Sequence, residues 1–141
     1  KDGTKKMSKS DPSDLSRINL NDSKDDIINK IKKAKTDDKA LPEDDKNLAD
    51  RPEAENLLGI YSSLNNQDLN KTISEFSGKN FSEFKSKLSE LVVEKISPIS
   101  HEITKLQKDK AFIDKILSDG AEKANKIASK KVNEMKKIIG F

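Results

Sequence analysis

The chain has 141 residues, of which 38% are charged, and a formal net charge of +3. That is more charge than the roughly 25% of an ordinary domain, yet Leu, Ile, Val and Phe still make up 34 of the 141 residues, above the level of about 20% below which chains stay disordered. With no cysteine and one histidine, His101, disulfides, thiolate metal sites and a histidine-built metal cluster are excluded, and no metal site is expected. No apolar run reaches the 18 or so residues that span a bilayer, so the expectation is no membrane partner and a soluble, cytoplasmic protein.

Residues 1–22 are polar, rich in Ser, Asp and Lys, with Pro12, and read as a loop. Arg17-Ile18-Asn19-Leu20 alternates, as a short extended strand or a turn would. A helix is expected from Ser23 to about Lys35. Ser23 and Asp26 form a capping-box start, Asp25 and Asp26 lie in the first turn, and Lys32, Lys33 and Lys35 in the last. Ile27, Ile28, Ile31 and Ala34 fall on one face.

Residues 36–52 read as an acidic loop. Over 36–56, eight acids face three bases, a net of −5. Asp37-Asp38 and Asp44-Asp45 could hold a hard cation, although such loops are usually just solvated. Pro52 suits the first position of a helix, carried to about Leu64 by Leu57, Leu58, Tyr61 and Leu64. Tyr61 is most simply a core residue whose hydroxyl needs a partner. Asn65-Asn66 ends that helix. A shorter one follows near 67–76, on Leu69, Ile73 and Phe76, with Gly78 as a left-handed stop.

Asn80 with Glu83 starts the longest periodic run: Phe81, Phe84, Leu88, Leu91, Ile96, Ile99, Ile103 and Leu106. Pro98 lies inside it and predicts a kink. His101 reads as a solvent-facing or packing residue. A short helix is expected over Ala111–Leu117. Asp119 and Glu122 then cap a last helix with Ala121, Ala124, Ala128, Val132, Met135 and Ile139 as its buried stripe, and Gly140 ends it. Residues 105–141 carry ten lysines and five acids, a net of +5. Lys123, Lys126, Lys130 and Lys137 could meet nucleic-acid phosphates, or simply make a solvated face. The fold class expected is mainly α, a helical bundle behind a polar loop.

One segment has specific chemistry. In Lys6-Met7-Ser8-Lys9-Ser10 two lysines lie three residues apart among serines. Such a loop can close over a triphosphate, the ammonium groups neutralising charge and the hydroxyls and backbone N–H groups adding hydrogen bonds. By composition alone the signal is weak, since most such loops are solvated linkers.

The string itself resembles the second signature of the class I aminoacyl-tRNA synthetases. Further matches follow in order: Ser16-Arg17-Ile18-Asn19-Leu20, Ile31 to Asp37, Arg51-Pro52-Glu53, Asn56 to Ser62, Phe84-Lys85, Leu91 to Glu94, Pro98-Ile99 and Gly120 to Ala124. Together they are similar to the bacterial-type tryptophanyl branch over nearly the whole chain. The resemblance implies that Lys6 and Lys9 contact the phosphates of ATP, with Met7, Ser8 and Ser10 completing the loop. Residues 1–22 would end the catalytic domain, and 23–141 would form a helical domain contacting the tRNA anticodon arm. It implies ATP with Mg2+, tryptophan and tRNA(Trp) as substrates of the whole enzyme, which would be a homodimer. The family's His-Ile-Gly-His-type signature, its Rossmann sheet and its amino-acid pocket are not in this chain, so the chain alone is expected to be inactive. Two alternatives stay open: a tyrosyl-type synthetase, or a non-catalytic helical module that binds RNA or protein.

Overall fold

A computed structural model describes residues 7–140, and these form five α-helices with no strand among them. They are α1 (Lys24–Lys32), α2 (Pro52–Leu64), α3 (Leu69–Phe76), α4 (Phe81–Lys108) and α5 (Lys110–Ile139), with short 3-10 turns at Asp14–Ser16 and Asp45–Asn47. The mainly α reading holds. The chain divides into two compact units, Lys1–His101 and Glu102–Phe141.

In the first unit the local signals act as expected. Ser23 caps α1: its Oγ accepts from the Asp26 amide at 3.1 Å, and the Asp26 carboxylate accepts from the Ser23 amide at 3.2 Å. These two bonds satisfy donors that the first turn leaves without helical partners. Hydrogen bonds from Ser23 hold the Asp26 carboxyl below the usual carboxylate range. Pro52 opens α2, where a missing N–H costs nothing. Asp68 caps α3 through the Asn70 amide at 2.8 Å. Gly78, at φ 69°, ends the turn after α3. Asn80 accepts from the Glu83 amide at 2.8 Å and starts α4.

The core collects Ile27 and Ile31 of α1, Ala54, Leu57, Leu58 and Tyr61 of α2, Ile73 and Phe76 of α3, and Phe81, Phe84, Leu88 and Val92 of α4. At its centre Phe84 meets Phe76 edge-on at 4.8 Å, Phe76 meets Tyr61 at 4.9 Å, and Tyr61 tilts toward Phe84 at 5.9 Å. Edge-to-face pairs contribute about 0.5–1.5 kcal/mol each beyond burial. The Tyr61 hydroxyl finds its partner in Glu75, at 3.5 Å, and burial followed by the Glu75 charge pushes its pKa up.

The acidic loop is more structured than its charge implied. Leu41 and Leu48 are buried. The Leu41 amide donates to the Lys79 carbonyl at 2.8 Å, and its carbonyl accepts from the Gly78 amide at 3.2 Å. Arg51 grips Asp37 with both arms, Nε to Oδ2 at 2.9 Å and Nη2 to Oδ1 at 2.7 Å, and donates to the Ala40 carbonyl at 2.7 Å. The acids from Glu43 to Asp45 remain outside.

Several expectations are corrected. Helix α1 ends at Lys32, and Ile28 faces solvent while Lys30 is buried, because two carboxylates receive its ammonium. The apolar series of α4 is buried only as far as Val92; Ile99 and Leu106 are exposed. As expected, Pro98 lies within this helix, which runs on to Lys108.

The second unit holds the end of α4 and all of α5. The expected break at Leu117 and the Asp119–Glu122 start do not occur. One helix runs from Lys110 to Ile139 through Gly120, and the N-cap is Asp109, whose Oδ1 accepts from the Phe112 amide at 3.0 Å. An interior glycine costs about 1 kcal/mol, which a thirty-residue helix rich in Lys, Ala and Glu absorbs. Nor is there a buried stripe: no residue of α5 is buried, and Val132, Met135 and Ile139 are exposed. Gly140, at φ 83°, ends the helix as expected.

Candidate functional site

Lys6 lies outside the described residues. The rest of the Lys/Ser segment is at the surface: Met7, Ser8, Lys9 and Ser10 are all exposed. Ser8 to Asp11 form a turn closed by the Asp11 amide on the Ser8 carbonyl, at 3.3 Å. The two serine hydroxyls lie 3.0 Å apart, and the Ser10 amide donates to Ser8 Oγ at 3.3 Å. Lys9 stands at the tip. A turn of this kind offers an ammonium and hydroxyls in one place, which suits an oxyanion with several acceptor oxygens.

What holds this turn in place was not visible in the sequence. Arg17 donates from Nη1 to the carbonyls of Ser8 and Asp11, at 3.2 and 3.3 Å, and its Nη2 pairs with Asp14 at 3.0 Å. Asp14 and Asp22 both receive the Lys30 ammonium, at 2.5 Å each, and Asn19 Nδ2 lies 3.2 Å from an oxygen of each. Hydrogen bonding from Lys30 and then from Asn19 holds the Asp14 carboxyl below its usual range. Burial works against the charge on Lys30, but its bonds to Asp14 and Asp22 outweigh that and raise its pKa. The available signals were faint: an acid–base pair at 14 and 17, and a lysine at 30 on the same face as Ile27 and Ile31.

A second lysine was missed as well. Lys85 of α4 reaches the C-terminal end of α1, donating to the Ala34 carbonyl at 2.6 Å, to Thr36 Oγ1 at 3.2 Å and to the Lys32 carbonyl at 3.4 Å. It supplies donors to carbonyls that the helix end leaves open and complements the dipole there. Burial pushes its pKa down. A groove of about 900 Å3 runs between α1 and α4, bordered by Lys24, Ile28, Lys32, Phe81 and Lys85.

In the second unit, Lys123, Lys126, Lys130 and Lys137 are spaced three, four and seven residues apart on α5, which puts them on one exposed face. The first three border a shallow depression with Ile127 and Lys131. His101 is exposed. Among the described residues no group of three His, Cys, Asp or Glu is placed to hold a metal ion, and no helix is long and apolar enough to cross a membrane.

Comparison with known proteins places the sequence in a family. Curated tryptophan–tRNA ligases align with all 141 residues: that of Agrobacterium fabrum is 55% identical, that of Rhizobium meliloti 53%, and that of Rickettsia felis 49%. The chain spans 40% of the length of the first two and 42% of the third. The family model of class I tRNA synthetases for tryptophan and tyrosine (W and Y) matches residues 1–97, which include both the turn and the network behind it. The chain therefore belongs to the class I tRNA synthetases of the tryptophan and tyrosine group.

Proposed function

We propose that this chain is the C-terminal part of a tryptophan–tRNA ligase, which activates tryptophan with ATP and Mg2+ and transfers it to tRNA(Trp). The observation that carries this reading is the identity of about half of all residues, along the full 141, with proteins named for that activity. In the activation step a carboxylate oxygen of tryptophan attacks the α-phosphorus of ATP. The bond to the β-phosphate breaks and pyrophosphate leaves. Negative charge grows on the leaving group, and Lys6 and Lys9 would stabilise it, with Ser8, Ser10 and the Met7 backbone shaping the loop around the phosphates.

In this reading residues 1–22 close the catalytic domain and residues 23–141 form the helical domain that meets the anticodon arm. Lys123, Lys126, Lys130 and Lys137 of α5 would pair with tRNA phosphates, a contact that weakens with salt. The whole enzyme is a cytoplasmic homodimer, and the 141 residues by themselves do not form adenylate. The test is amino-acid-dependent ATP–pyrophosphate exchange by the full-length protein. Tryptophan should support exchange and tyrosine should not. A preference for tyrosine would turn the reading to the tyrosyl enzyme, and no exchange with either would leave a non-catalytic helical module.

A further inference from the structure

We propose that Arg17 is a positioning residue for nucleotide activation, holding the Ser8–Asp11 turn so that Lys9 is presented to the phosphates. This rests on the functional reading above and goes beyond it, because it concerns a side chain outside the Lys/Ser string. The observation is a juxtaposition. One guanidinium nitrogen bonds both carbonyls that bracket Lys9 and Ser10, that of Ser8 at 3.2 Å and that of Asp11 at 3.3 Å. The other bonds Asp14 at 3.0 Å.

The turn's internal bonds are few: the two serine hydroxyls at 3.0 Å, and the Asp11 amide to the Ser8 carbonyl and the Ser10 amide to Ser8 Oγ at 3.3 Å each. Its four residues are polar, and three of them are exposed, so packing cannot fix it. Arg17 is the opposite. It is only 21% exposed, extended at φ −147° and ψ 156°, and braced by Asp14. Asp14 is in turn held by Lys30, which is 8% exposed on α1. A planar guanidinium with donors in a fixed fork transmits position better than a flexible ammonium. The chain of contacts Lys30–Asp14–Arg17 thus references the turn to the α1 helix. Misplacement by about 1 Å can cost a charge-stabilised step about 100-fold.

A double-mutant cycle distinguishes positioning from folding. A positioning role acts through Lys9, so it should vanish when Lys9 is removed. The experiment is a double-mutant cycle in the full-length enzyme, with Arg17→Ala, Lys9→Ala and the pair, read by tryptophan-dependent ATP–pyrophosphate exchange. Arg17→Ala should lower kcat/KM for ATP by about 10- to 50-fold while the KM for tryptophan moves by less than about 2-fold. In the Lys9→Ala background it should cost less than about 3-fold, because coupled residues are not additive. Arg17→Lys, which keeps charge but has no fork, should fall between. If Arg17→Ala does not fold, as read by far-UV circular dichroism, Arg17→Gln takes its place in the cycle. Equal losses in both backgrounds, a parallel loss of tryptophan affinity, or no loss at all would each overturn the assignment. Failure of the functional reading would be seen separately, as absence of tryptophan-dependent exchange in the unmodified enzyme.

Discussion

Residues 23–92 and helix α5 are written in the same vocabulary, lysine and serine with isoleucine, leucine or alanine at helical spacing. In the first, Ile27, Ile31, Leu58, Ile73, Phe84 and Leu88 are at most 4% exposed. In the second, Ile127, Val132 and Met135 are 48–73% exposed and nothing is buried. Periodicity specifies the helix in both regions. Burial needs a facing surface, and only the first region supplies one from its own sequence, through α1, α2, α3 and the start of α4.

The contrast can be broken most easily at the aromatic centre. Phe84→Ala removes the ring that meets Phe76 and Tyr61, in a site with no exposure. It should cost about 3–5 kcal/mol in urea unfolding. A loss below about 1 kcal/mol would mean that the first region lacks the packed core described.

The next effect is electrostatic. Arg51, by its hydrogen bonds, keeps the Asp37 carboxyl below the usual carboxylate range. A depressed folded pKa contributes stability that is present above the ordinary value of about 3.9 and lost as pH falls through the folded value. Stability should therefore decline as pH falls below about 4. Asp37→Asn should cost about 1 kcal/mol at neutral pH and flatten that decline. An unchanged acid limb would show that the pair contributes nothing.

The smallest expected change belongs to α5 and has the opposite sign. A Cβ at Gly120 meets nothing within 4 Å, so Gly120→Ala should stabilise the helix by about 0.5–1 kcal/mol. Slower amide hydrogen exchange around residue 120 would show it. Faster exchange would mean that the helix is interrupted there after all.

Much of the fold could be read from the residues. Ser23, Pro52, Gly78, Asn80 and Gly140 begin or end helices as their chemistry dictates. The misreading of α5 has a physical source: Asp119 with Glu122 three residues on looks like a cap, but the same residues sit within one continuous helix. The site was half legible. The Lys/Ser string announces itself, whereas Arg17 and Lys30 work through partners three to sixteen residues away, and no local pattern marks which arginine reaches which carbonyl. Lys85 reaches further still, bridging to the Ala34 carbonyl across 51 positions.

In the proposed function the exposed turn serves charge on a nucleotide. The direct test is single-turnover adenylate formation by the full-length enzyme with Lys9→Ala. The rate should fall by about 100-fold or more, as when a group aimed at developing charge is removed, with tryptophan affinity changed by less than about 3-fold. An adenylation rate equal to that of the unmodified enzyme would contradict it.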